Sequence, residues 1–156
     1  GAAMFELVKM RRARRLAHAT LEPFLHRGLG GSDGLQAGDW LHPQIIGFLA
    51  TLVTLLAQRA CGPMRDHALA AVQSDVLNAV TGIGPELIGE EICLWSSRGD
   101  PAFAAGAVGA ATFLETMAGR IEPESGEIPD PTLILLWDEH VGHLLARSQR
   151  RLQGPY

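Results

Sequence analysis

Two histidines and a glutamate near the C-terminal end are the first candidates for chemistry. Glu139, His140 and His143 lie on one predicted helix, and side chains three or four residues apart on a helix can share a metal ion. Further ligands would have to come from elsewhere, and nothing in the spacing links the candidates, which are His18, His42, Asp66 and His67. We therefore predict polar residues that face solvent, with no cofactor. A metal or ligand site, with possible enzymatic activity, is the alternative.

Four arginines in the first predicted helix are the second candidate. Arg11, Arg12, Arg14 and Arg15 could bind the phosphate groups of nucleic acid or of an anionic membrane surface. However, aromatic residues for base stacking are not interleaved with them, and residues 28–130 hold thirteen acidic residues against four basic ones. The cluster therefore predicts a solvated anion-binding face or a dock for the protein's own acidic middle. Nucleic-acid and membrane-surface binding remain alternatives.

A narrow stripe of small and polar residues crosses the most apolar part of the chain. Residues 40–58 contain no Asp, Glu, Lys or Arg, and residues 45–57 are almost entirely aliphatic. Steps of three and four residues place the stripe on one side of a helix. Its members are Gln44, Gly47, Thr51, Thr54 and Gln58. The stripe predicts a surface that packs on another helix, lines a pocket or forms a dimer seam.

The same apolar stretch raises the question of a membrane span. A span needs about 20 apolar residues, whereas the aliphatic run at 45–57 has thirteen. Most of the other predicted helices are amphipathic and need an apolar partner, which this stretch supplies. We therefore predict the core helix of a soluble protein without a transmembrane span. The composition, rich in Ala, Arg, Gly and Leu, and the missing secretory signal indicate a bacterial cytoplasm.

Prolines mark where the helices begin. Pro43, Pro63, Pro85, Pro101 and Pro131 suit a first helical turn, and Gly or Asp precedes most of them. No stretch alternates as a strand does. The predicted helices span residues 4–26, with a kink or break near Leu21 and Glu22 because of Pro23, then about 42–60, 63–81, 85–98, about 101–120 and 131–152. The sequence thus predicts an all-α fold, a single compact bundle of five to six helices.

The centre of this bundle is predicted to be the apolar helix at about 42–60. It packs against the helix at about 101–120, because the small side of that helix, with Ala102, Gly106 and Gly109, allows another backbone to approach closely. Residues 1–3 resemble a tag remnant, and residues 4–156 form one domain. A flexible Gly-rich loop at 28–38 and an acidic loop at 122–130 interrupt it.

One motif in the first of these loops matches a catalytic pattern. Residues 30–34, Gly-Gly-Ser-Asp-Gly, fit the G-x-S-x-G of a hydrolase nucleophile elbow. That motif requires a strand before the serine, and none is predicted, so the segment is interpreted as a linker. Cys61 and Cys93 lie in apolar helical contexts and are predicted to be buried free thiols.

The leading functional prediction is a non-enzymatic protein-interaction or regulatory module. The first helix presents a basic face, and the helices at 63–81 and 85–98 present an acidic one. A protein partner or self-association as a homodimer follows from this charge distribution and from the helical fold. No set of residues points to a reaction, so the enzyme interpretation is the weaker one.

Overall fold

The computed structural model describes residues 2–28, 35–118 and 130–152, and these are helical apart from short connections. The helices are α1 (Ala2–Gly28), α2 (Ala37–Trp40), α3 (Pro43–Cys61), α4 (Asp66–Thr81), α5 (Pro85–Arg98), α6 (Pro101–Ala118), α7 (Pro131–Trp137) and α8 (His143–Leu152). A π-helical segment, Asp138–Gly142, joins α7 to α8 and is called the π segment below. The predicted all-α bundle is confirmed, with α2 as one additional short helix.

The helices begin and end close to the predicted proline, glycine and aspartate positions, with a few differences. Prolines occupy the first turn of α3, α5 and α7, and Asp130 caps α7 by accepting a hydrogen bond from the Thr132 N–H (2.6 Å). The third long helix begins at Asp66 rather than Pro63. Helix α1 continues through Leu21, Glu22 and Pro23, so of the predicted kink or break the break is wrong. Of the predicted Gly-rich loop at 28–38, Gly28 belongs to α1 and residues 37 and 38 begin α2 instead.

Two predicted segments lie wholly or largely outside the described residues. These are the G-x-S-x-G pattern at 30–34 and the acidic loop at 122–130, of which Asp130 alone is described. Of residues 1–3, which resemble a tag remnant, Ala2 and Ala3 belong to α1.

The core is built around α3, as predicted. Ten of its residues are buried, and α1, α4, α5, α6 and the π segment pack around it. An aromatic cluster from four helices fills one region of this core, with ring centroids 5.2–6.0 Å apart. Its members are Phe24, Phe48, Phe113 and Trp137. Such edge-to-face and tilted packing stabilises the core beyond simple burial.

The contact between α3 and α6 is close because glycines lie on both sides of it. A methyl group at Gly47 would overlap the carbonyl group of Phe103 on α6. A methyl group at Gly106 would overlap the carbonyl group of Gln44 and lie 2.7 Å from the amide nitrogen of Phe48. The two backbones therefore touch directly. This confirms that the apolar helix packs against the small-residue helix.

Helix α3 is also the one helix among the described residues that is long and apolar enough to cross a membrane by length and composition. In its most apolar window, 56% of the residues are buried inside the fold. The core helix of a soluble protein passes the same test, so α3 is weak evidence for a span.

Candidate functional site

The π segment reconciles the spacing of the core residues with the helical period. Leu133, Trp137, Val141 and Leu145 are all buried and are spaced by four residues. On a regular α-helix each such step would drift by about 40° around the axis. A wider turn, in which the His143 N–H donates to the carbonyl oxygen of Asp138, takes up this drift. All four side chains therefore stay on the core side.

The same turn brings His140 into the interior beside Val141. His140 is 7% exposed, and its Nδ1 lies 3.0 Å from the Nε2 amide nitrogen of Gln44 on α3. The imidazole stacks on the ring of Phe48 with centroids 5.4 Å apart and planes within 9°. Its edge lies against Gly109 of α6, where any side chain would overlap the ring. Helices α3 and α6 thus enclose the imidazole of the π segment.

This environment favours a neutral imidazole. Burial lowers the pKa of His140 from its ordinary value of 6.5, and Glu139, whose Oε2 lies 3.7 Å from Nε2, opposes that shift only in part. The side chain of Glu139 is mostly exposed, so solvent screens its charge. With the Gln44 amide donating to Nδ1, the neutral ring carries its proton on Nε2.

The structure separates the two histidines that the sequence grouped. His143 is exposed, as predicted, whereas the prediction that His140 faces solvent is wrong. The four-residue spacing of Trp137, Val141 and Leu145 is the sequence signal that would have revealed the extra residue in this turn. Within residues 2–28, 35–118 and 130–152, no group of three or more His, Cys, Asp or Glu could hold a metal ion.

The stripe predicted on α3 is divided among its neighbours. Gln44 contacts the π segment and Gly47 contacts α6. Thr54 Oγ1 accepts a hydrogen bond from Gln73 Nε2 of α4 (3.2 Å). The two remaining members are a half-buried residue and an exposed one, Thr51 and Gln58. At Gln44, Gly47 and Thr54 the stripe therefore packs within the chain.

The predicted arginine cluster is divided in a similar way. Arg14 turns inward and forms an ion pair with Asp75 of α4. Nearby, Lys9 Nζ donates to the carbonyl oxygen of Pro63, and a carboxylate oxygen of Glu6 accepts from a backbone N–H of the α3–α4 connection. These contacts fix α1 on α4. The other three arginines, Arg11, Arg12 and Arg15, are exposed.

Four large apolar side chains are exposed immediately before these arginines. They are Met4, Phe5, Leu7 and Val8, with exposed fractions of 58–72%. The sequence spacing of Leu7 with Met10, Ala13 and Ala17 predicts one buried stripe on the first helix, and for Leu7 this prediction is wrong. One side of a helix cannot bury apolar residues at four of five consecutive positions. This run in the sequence therefore already indicated that some of these side chains are exposed. We call these four residues with Arg11, Arg12 and Arg15 the α1 face.

An open pocket of about 620 Å³ lies on the α1 face, next to the end of α3. It is lined by Val8, Arg12, Arg15, Leu16 and Ala60. Guanidinium groups beside apolar walls suit a carboxylate or phosphate carried next to apolar atoms, because arginine binds such groups in a bidentate manner.

A second exposed surface with mixed chemistry lies on α5. It contains Glu86, Leu87, Glu90, Cys93, Leu94 and Ser97, all exposed, and we call it the α5 face. An open groove of about 770 Å³ runs along most of it. The prediction that Cys93 is buried is therefore wrong, and Cys61 is half-buried.

Comparison with known proteins gives no relative. No family model matches the chain, and neither a curated protein nor a solved structure matches it.

Proposed function

We propose that the protein is a non-enzymatic interaction module whose α1 face binds an acidic, amphipathic protein segment. The observation that carries this proposal is the exposure of Met4, Phe5, Leu7 and Val8 directly before exposed arginines. Covering apolar surface contributes about 25 cal/mol per Å², and contiguous exposed apolar surface commonly marks an interaction site. The exposed arginines favour a partner that carries negative charge.

The pocket on the α1 face supports this choice of partner. Arg12 and Arg15 can each receive a carboxylate, while Val8, Leu16 and Ala60 supply apolar contacts beside it. A helical segment that carries glutamates on one side and leucines next to them matches both features. Electrostatic attraction of this kind mainly accelerates association and selects the partner.

Nucleic-acid binding through Arg11, Arg12, Arg14 and Arg15 is less favoured. Arg14 is paired with Asp75, and Phe5 is the one aromatic residue of the α1 face, which gives little surface for base stacking. The net charge of −4 also opposes a broad approach to a polyanion.

A metal- or ligand-binding role for Glu139, His140 and His143 is also less favoured. The imidazole of His140 is enclosed by α3 and α6 and hydrogen-bonded to Gln44, which supports a structural role for this side chain.

The proposal includes a cytoplasmic location in a bacterium and the absence of a membrane span. Five elements pack around α3, and this packing supports a core helix. Placing α3 in lipid would require those apolar contacts to be given up.

Binding assays with defined probes test the proposal. The probes are a fluorescent helical peptide with leucines beside glutamates spaced four residues apart, a scrambled version of it, a DNA duplex, and phosphatidylcholine vesicles with or without phosphatidylglycerol. We expect the helical peptide to bind, and Val8→Ser or Arg12→Glu to weaken it at least tenfold. Val108→Ser is the matched control, because Val108 is 67% exposed on α6 and Val8 is 61% exposed.

Failure of the peptide to bind would overturn the proposal, and so would either of two other results. One is binding to DNA or to the anionic vesicles without binding to the peptide. The other is peptide binding that the Val8 and Val108 substitutions affect equally, since the apolar part of the α1 face would then have no role.

A further inference from the structure

The outward side of α1 carries a regular series of exposed residues. Met4, Val8, Arg11 and Arg15 follow one another at intervals of four, three and four residues, and all are exposed. This spacing keeps the series on one side of the helix, opposite the buried residues Ala13 and Ala17. Along the series, from the N-terminal end, apolar residues come first and cationic residues second.

The outward side of α5 carries a series with the same intervals. Glu86, Glu90, Cys93 and Ser97 are separated by four, three and four residues, and all are exposed. The buried residue Ile88 lies on the opposite side of the helix. Here the anionic residues come first and the small, weakly polar residues second. On α5 the charged residues thus precede the uncharged ones, which is the reverse of their order on α1.

We infer that the segment bound by the α1 face is α5 of a second copy of this chain, in antiparallel orientation. The inference rests on the proposed function and names its partner. Because the two series have equal intervals, one register aligns them along their whole length. That register pairs Arg15 with Glu86, Arg11 with Glu90, Val8 with Cys93, and Met4 with Ser97.

The flanking residues agree with this register. Phe5 is 72% exposed beside the α1 series, and Leu94 is 38% exposed beside the α5 series. In the antiparallel register the two positions lie on the same side of the helix pair, two residues or about 3 Å apart along it. The contact therefore places Leu94 next to Phe5, the aromatic side chain of the α1 face.

Two alternative pairings of these faces are less favourable. A parallel alignment that pairs Arg11 and Arg15 with Glu86 and Glu90 leaves Met4 and Val8 beyond the start of α5. Pairing two α5 faces brings carboxylates of both copies together, which like-charge repulsion opposes. The antiparallel α1–α5 contact pairs opposite charges and at the same time places Val8 and Met4 against the small side chains of Cys93 and Ser97.

Charge reversal on the full chain tests the inference. One variant carries Arg11→Glu and Arg15→Glu, and the other carries Glu86→Arg and Glu90→Arg, all at exposed positions. In sedimentation velocity at low salt we expect the parent chain to self-associate and each variant alone to associate at least tenfold more weakly. An equimolar mixture of the two variants associates like the parent, because every contact in it regains opposite charges. Circular dichroism checks that both variants remain folded.

A cross-link tests the register itself. Val8→Cys places a thiol opposite Cys93 of the second copy, so a short bismaleimide joins two chains. We expect this product to disappear with Cys93→Ser and to be absent when the new thiol is at Val108→Cys. Equal cross-linking from positions 8 and 108 would contradict the register.

The outcomes separate this inference from the proposed function. If the acidic peptide binds the α1 face but the parent chain stays monomeric, or the variant mixture fails to associate, the inference is wrong and the proposed function stands. If the peptide also fails to bind, both are wrong.

Discussion

The contact between α3 and α6 makes a strong prediction about Gly106→Ala. In most helix interiors this substitution stabilises a protein, because alanine has a better helix propensity by about 1 kcal/mol. Here the new methyl group would lie 2.7 Å from the amide nitrogen of Phe48 and closer still to the carbonyl oxygen of Gln44. Both atoms belong to the backbone of α3, so no change of rotamer can relieve the overlap.

The size of the effect follows from two opposing contributions. Ordinary van der Waals contact begins near 3.4 Å, so α6 must move away from α3 by several tenths of an ångström or more. Overpacking of this kind costs about 1–3 kcal/mol, and a backbone obstacle places it at the upper end. After subtracting about 1 kcal/mol for helix propensity, we expect a net loss of about 2 kcal/mol. For a chain of this length, that loss lowers Tm by about 4–8 °C.

Equilibrium unfolding in urea measures this loss, with Gly89→Ala as the matched control. Gly89 also lies inside a helix, but a methyl group there meets nothing within 4 Å. We expect the control to gain about 1 kcal/mol from helix propensity. Both variants are measured at a protein concentration low enough that association does not contribute. A Gly106→Ala protein as stable as the parent would refute the close approach of α3 and α6.

Three further predictions concern the π segment and its helix. Because burial lowers the pKa of His140 below 6.5, the unfolded chain binds this proton more readily, so the stability contribution is complete above pH 6.5 and is lost as the pH falls below it. The free energy of unfolding in urea, measured from about pH 7.5 to about pH 5, should lose this part of its pH dependence in His140→Gln. The exposed control His143→Gln should keep it. If the free energy of unfolding changed equally with pH in both variants, the pH dependence could not be assigned to His140. The methyl group of Gly109→Ala overlaps the imidazole and should lower the free energy of unfolding by about 1–3 kcal/mol. The loss should be smaller when His140→Ala is also present. Strictly additive losses in this double-mutant cycle would count against the contact between Gly109 and His140. Asp130→Ala removes the cap of α7 and should cost about 1 kcal/mol, which thermal unfolding would detect, and an unchanged Tm would argue against the cap.

Much of the fold was predictable because helix ends and helix sides are set locally. A proline after Gly or Asp favours a first turn by its own geometry, and the helix at 85–98 was placed to the residue on that ground. Pro63, which follows Gly62, is an exception, because α4 begins at Asp66. The uncharged run in α3 required burial, and the glycines of α6 required a close neighbour. Together these constraints identified the central pair without any knowledge of the other contacts.

The candidate surfaces were less predictable, because a sequence period shows which side of a helix is apolar and not whether a neighbour reaches it. Leu7 continues the apolar stripe of α1, yet none of the helices that the structure describes covers it, and it is exposed. Arg14 belongs to the same run as Arg15, but only Arg14 meets Asp75 of α4. Such differences depend on where adjacent helices begin and end.

The sequence by itself determined the all-helical fold, the central position of α3 and its close partner α6, because these follow from local capping and from the need to bury apolar residues. Only the tertiary structure decided the place of His140. One extra residue in the π segment changes the helical phase and turns that side chain from the flank of the helix towards Gln44, Phe48 and Gly109. The tertiary structure likewise decided that the α1 and α5 faces are exposed among the residues that the structure describes, since exposure depends on the packing of all the helices together.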